Sequence, residues 1–121
     1  LPRDTSRPLV FLAGGIGITP FLSMIRAATE ERKPFVMRLL HFGDLDEFHP
    51  DLEAWAQDNS NFTFRHLYET ISRQAVKSNL DNLENIYYVA GPPGFVNETL
   101  NVLAELKIPP EQILHESYTG Y

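Results

Sequence analysis

Apolar residues in this chain alternate between short unbroken runs and amphipathic stretches. Leu9-Val10-Phe11-Leu12-Ala13 is continuous and stops at glycines, the pattern of a buried strand. From Pro20 to Glu31, Phe21, Leu22, Met24, Ile25 and Ala28 share one helical face before charges and Pro34 end the element. Phe35 to Phe42 reads as a second strand, and Gly43 to Glu47 as a loop. Phe48 to Gln57 reads as a short helix with Pro50 in its first turn. Phe62 to Leu67 alternates like a third strand. Ser72 is placed to cap a helix running towards Leu80. Ile86 to Ala90 is a fourth strand, Gly91 to Gly94 a turn, and Val96, Leu100, Leu103 and Ala104 a further helical face. Ile108-Pro109-Pro110 breaks that helix, and Gln112 to Glu116 reads as a last short strand. Strands alternating with helices predict an α/β domain, a mostly parallel sheet with helices on both faces.

The 121 residues make one domain, 1–121, by length, and 43% hydrophobic content is enough for one core. The net charge of -6 leaves no basic stripe, which argues against nucleic acid as the main partner. Without cysteine, the chain has no disulfide, thiolate nucleophile or cysteine-held cluster. The most apolar stretch, Pro8 to Ile25, is interrupted by glycines, Thr19 and Pro20 and makes a poor membrane helix. A cytoplasmic setting, or the cytoplasmic face of a membrane, is expected. The chain opens on Leu1, and a further segment is expected to precede it.

The main chemical signal is Ala13-Gly14-Gly15-Ile16-Gly17-Ile18-Thr19-Pro20, between the first strand and first helix. Glycines let a pyrophosphate approach backbone amides and permit a tight turn. Thr19 is expected as N-cap with Pro20 the first helical residue, and a side chain at Gly17 is expected to block a pyrophosphate. Pro20 stands where the usual dinucleotide fingerprint has its third glycine. No Gly-Lys-Ser/Thr follows, which disfavours a phosphotransferase loop. By local chemistry alone an unliganded strand-to-helix turn remains open. Ala90-Gly91-Pro92-Pro93-Gly94-Phe95 is a second such turn, and in a parallel sheet both would lie on the carboxyl edge.

These residues resemble the C-terminal domain of the ferredoxin–NADP reductase family of flavoproteins. Leu9 to Phe21 looks like its pyrophosphate signature, and Tyr87 to Phe95 like its second signature. Glu116-Ser117-Tyr118-Thr119-Gly120-Tyr121 resembles the C-terminal strand and tail of bacterial members. The resemblance implies a three-layer domain with a five-stranded parallel sheet in the order 3-2-1-4-5. It implies that Gly14, Gly15, Gly17, Ile18, Thr19, Pro20, Gly91, Pro92, Pro93, Gly94 and Phe95 bind NADH or NADPH. It also implies that Thr19, Glu116 and Tyr118 approach the reacting rings. An upstream β-barrel would hold FAD or FMN, and electrons would pass to an iron–sulfur, haem or flavodoxin partner. A nucleotide-sensing or regulatory domain without hydride chemistry is the alternative.

Two departures shape the expectation. Many members carry cysteine where Ala90 stands. NADP-specific members often carry arginine or serine after the second strand, whereas here the loop is His41-Phe42-Gly43-Asp44-Leu45-Asp46-Glu47. Asp44, 27 positions after Gly17, either belongs to a solvated acidic loop or accepts ribose hydroxyls and repels a 2′-phosphate; on the second reading NADH is favoured. His41, His49, His66 and His115 show no ligand spacing and read as structural or surface groups, with no metal expected. Trp55 and Phe48 read as packing residues.

Overall fold

A computed structural model describes Pro2, residues 4–44 and residues 46–118. Leu1, Leu45 and the tail residues Thr119, Gly120 and Tyr121 singled out above lie outside the described residues.

Five strands form one parallel sheet: β1 (Leu9–Gly14), β2 (Met37–Phe42), β3 (Phe62–Leu67), β4 (Ile86–Gly91) and β5 (Ile113–Ser117). Their order is β3-β2-β1-β4-β5, as the resemblance implied. Four helices connect them: α1 (Thr19–Glu30), α2 (His49–Asp58), α3 (Arg73–Ser78) and α4 (Pro93–Glu105). Side chains of a strand point alternately to the two faces. Leu9, Phe11, Ala13, Met37 and Leu39 therefore meet Phe21, Ile25 and Ala28 of α1 and Leu52 of α2. Val10, Leu12, Leu40, Tyr87 and Val89 meet Ala75 and Val76 of α3 and Val96, Val102 and Leu103 of α4. Burial on both faces explains why β1 is apolar at every position before its glycine.

The expected boundaries hold to within a few residues, and three details differ. Strand β2 begins at Met37, paired with Leu9 of β1, whose amide donates to the Val36 carbonyl just before it. Pro93 and Gly94 are already helical, because proline suits a first helical turn. On α4 the inward residues are Val96, Thr99, Val102 and Leu103, while Ala104 is exposed. Thr99 is tolerated inside because its hydroxyl donates to the Phe95 carbonyl at 2.8 Å. Ser72 caps α3, its Oγ accepting from the Ala75 amide at 3.0 Å. Phe48 and Trp55 pack half-buried against the core as expected. Among the described residues no helix is long and apolar enough to cross a membrane.

Strand β1 lies between β2 and β4. The chain leaves β1 towards β2 and β3 and then crosses back to β4. Strand order thus reverses beside β1, the place where sheets of this kind form a ligand crevice at the carboxyl edge.

Candidate functional site

Both glycine turns stand at this crevice. Gly15–Ile18 form a 3-10 turn that runs directly into α1, so the chain is already coiled before Thr19. Thr19 is consequently not the N-cap. It has helical backbone (φ -57°, ψ -42°), and its amide donates to the Ile16 carbonyl. The cap position falls on Ile18, with no side-chain cap. An N-cap hydroxyl needs an extended backbone to reach back, and the 3-10 turn removes it. Helix α4 likewise begins without a side-chain cap, after Pro92. Neither helix has an acidic residue in its first turn.

The glycines fall into two groups by what surrounds them. A Cβ on Gly17 would stand 2.3 Å from the Ala90 carbonyl oxygen and 2.5 Å from Gly91 Cα. A Cβ on Gly14 would lie 2.5 Å from the Phe95 ring. These two let backbone and ring pack. Gly17 is therefore buried against β4, and a side chain there would first strike the backbone of Ala90 and Gly91. Gly15 and Gly94 face open space, with nothing within 4 Å of a Cβ. Gly15 also has φ +53°, which glycine adopts without strain.

The remaining predicted residues separate in the same way. Ile18 is wholly buried in the core, so its backbone alone is left for a ligand. Phe95 packs on Gly14, Gly91 and the Phe42 ring, 5.8 Å between centroids. Thr19 is exposed, Pro20 and Pro92 are half-buried, and Pro93 is exposed. Asp44 is exposed in the bend after β2. A Cβ on its neighbour Gly43 would lie 3.8 Å from the Gly15 nitrogen, so this bend adjoins the first glycine turn.

Parallel pairing sets Glu116 opposite Ala90 and Ser117 opposite Gly91. The Tyr118 amide donates to the Gly91 carbonyl at 2.9 Å, and Tyr118 packs half-buried on the core. Pro20, Phe21, Met24, Ala90, Leu114 and Glu116 border a cavity of about 230 Å³, mostly apolar in its walls. A larger hollow of about 390 Å³ lies near Arg38, Thr63 and Asp81. There Arg38 bonds Thr63 at 3.0 Å and Asp81 at 2.8 Å, at the amino ends of the strands and away from both turns. The geometry of the carboxyl edge makes the smaller cavity the relevant one.

The structure also gathers residues that sequence spacing left apart. His41 and His66 are register partners, each the fifth residue of a six-residue strand. Their rings stack 5.0 Å apart, and His49 meets His66 edge-on at 4.6 Å. The matching positions in two adjacent parallel strands were the available signal. His41 is buried, and its Nε2–H donates to the Gly15 carbonyl at 2.8 Å. Burial, more than any neighbour, pushes its pKa down; the Gly15 bond opposes this, and the other two histidines add to it.

Residues 11–100 match the model of the oxidoreductase NAD-binding domain. The chain is 25% identical over 136 residues to a flavohemoprotein of Bacillus subtilis, covering 98% of this chain and 34% of that protein. It is 26% identical over 132 residues to the toluate 1,2-dioxygenase electron transfer component of Pseudomonas putida, covering 98% and 39%. Flavohemoglobin from Malassezia yamatoensis, solved with bound FAD and heme, superposes with a TM-score of 0.84 at 20% identity, over 98% of this chain and 33% of that one. The chain thus spans between a third and two fifths of the length of these relatives.

Proposed function

The chain belongs to the oxidoreductase NAD-binding domain family, and from that premise we propose that its carboxyl edge holds NADH and presents the nicotinamide to a flavin carried by a neighbouring domain. One observation carries the reading. Gly17 lies in backbone contact with Ala90 and Gly91, which sets the N-termini of α1 and α4 side by side. The first amides of a helix lack partners within it, and its N-terminal end is positive. No side chain caps either end, and no carboxylate competes in either first turn. The open sides of Gly15 and Gly94 leave room for a diphosphate against both.

Each remaining residue then has a role. Asp44, beside the first turn, accepts hydrogen bonds from the ribose hydroxyls and repels a 2′-phosphate, which favours NADH over NADPH. Pro20 and Ala90 border the apolar cavity, whose walls keep water from a flat aromatic ring. Thr19 offers a hydroxyl at the mouth of the crevice. Glu116 and Tyr118, held by β5 beside Ala90 and Gly91, close its other side. When bound, the nicotinamide supplies a hydride and the flavin, FAD or FMN, accepts it. Such transfer needs near-contact of donor and acceptor, so this chain alone binds without turnover.

The names of the relatives point the same way. A flavohemoprotein and a dioxygenase electron transfer component each extend well beyond the length of this chain. The partners proposed here are a flavin-binding domain and, after it, an iron–sulfur, haem or flavodoxin acceptor, in the cytoplasm or at its membrane face. Calorimetric titration of the 121-residue chain with NADH tests the reading. One saturable site, competed by inorganic pyrophosphate, is expected. No association at millimolar NADH would overturn it.

A further inference from the structure

His41, His49 and His66 each bring a ring nitrogen within 4.8 Å of the others. Their hydrogen bonds assign the protons. The Gly15 carbonyl can only accept, so His41 carries its hydrogen on Nε2. The Gly43 carbonyl, 2.6 Å from His66 Nε2, fixes the same tautomer there. Both rings, when neutral, therefore keep Nδ1 as a lone pair. His66 Nδ1 uses its lone pair on His49 Nε2, 2.7 Å away, so His49 donates. His41 Nδ1 is buried and has no hydrogen-bond partner among the described residues. A buried acceptor without a donor is costly, and such atoms in native proteins call for a reason.

This is the arrangement found around histidine-held metals. There the distal N–H of each ligand is tied to a carbonyl or carboxylate, which fixes the tautomer and aims the other nitrogen at the ion. Two carbonyls, those of Gly15 and Gly43, already do this.

We propose that His41, His49 and His66 form a binding site for a zinc-class divalent cation, held by Nδ1 of His41, Nδ1 of His66 and Nε2 of His49. Imidazole nitrogens favour ions of this class over magnesium or calcium. Bonds of ~2.0–2.1 Å in a tetrahedron set the nitrogens roughly 3.4 Å apart. Reaching that from the present separations takes ring rotations. His49, half-buried at the first position of α2, supplies most of the movement, since its hydrogen bond to His66 gives way to the ion. His49 moves its hydrogen from Nε2 to Nδ1 in the process, so neutral rings bind without net proton release. Water completes the coordination. The ion would tie the carboxyl ends of β2 and β3 to the start of α2. Sequence spacing gave no sign of it, because His41 and His66 converge through strand pairing and His49 joins them from the start of α2.

The test uses zinc itself with the 121-residue chain, dialysed against a chelator. Titration calorimetry is expected to give one saturable site. His49→Gln and His66→Gln are each expected to weaken it at least about tenfold. His115→Gln, outside the cluster, is expected to leave it unchanged, with circular dichroism confirming the fold of each variant. Long-range proton–nitrogen correlation on the unaltered chain reads the same claim without mutation. Zinc should shift Nδ1 of His41 and His66 and Nε2 of His49. Absence of saturable binding, equal affinity in the His49 and His66 variants, or zinc-dependent shifts confined to His115 would each overturn the site.

Discussion

Gly17 and Ala90 touch through their backbones: a Cβ on Gly17 would stand 2.3 Å from the Ala90 carbonyl oxygen. Two turns 73 residues apart are thereby packed into one edge. Gly17→Ala is expected to cost roughly 1–3 kcal/mol of stability, because the added methyl meets backbone that cannot rotate away. Denaturant unfolding measures this. Unchanged stability would mean that the turns are not packed as described.

Gly94 allows the opposite experiment. Its Cβ position is open, and it sits in the first turn of α4. Gly94→Asp should retain stability or gain about 0.3–1 kcal/mol from the helix dipole. The same carboxylate should repel a diphosphate and weaken NADH binding about tenfold, an effect that added salt reduces. An affinity equal to that of the unaltered chain would remove the diphosphate from this helix end.

Asp44 is expected to set cofactor preference. Asp44→Arg replaces a repelling carboxylate with a group that pairs with a 2′-phosphate. The NADPH-to-NADH affinity ratio should rise about tenfold or more. Parallel titrations with both nucleotides decide the matter, and a ratio that does not move argues that the ribose lies elsewhere.

Ser72→Ala separates stability from binding. Loss of the cap on α3 should cost about 1 kcal/mol. Ser72 lies on a different connection from both glycine turns, so NADH affinity should stay the same.

Burial of His41 gives the fold a pH dependence. Its pKa is lowered from the ordinary 6.5, chiefly by burial. The unfolded chain therefore takes up this proton first as pH falls. The contribution is fully present above pH 6.5 and is lost as pH falls below that value towards the folded pKa. Unfolding free energy measured in a chelator should drop on acidification through this range, and the His41 ring should titrate below 6.5 by proton resonance. A titration above 6.5 would contradict the burial argument.

Much of the fold was legible because strand and helix periods were clear. β1 is apolar throughout, and α1 buries the three residues Phe21, Ile25 and Ala28 of its predicted face. Ser72 was legible as a cap because its chemistry is local. The roles of the glycines were less so. Gly17 and Gly94 look alike in sequence, yet one abuts Ala90 and the other faces open space, a difference that only tertiary packing creates. Thr19 was misplaced as a cap because the preceding 3-10 turn, made of Gly15 to Ile18, has no strong periodic signature. The histidine cluster stayed hidden because metal-ligand spacing describes single helices and loops, whereas His41 and His66 meet across paired strands.

The most direct test maps NADH onto the backbone. Amide proton–nitrogen spectra of the labelled chain, titrated with NADH, should move the resonances of Gly14 to Thr19 together with those of Gly91 and Gly94. Shifts confined to the hollow around Arg38 and Asp81, with both glycine turns unmoved, would contradict the dinucleotide site.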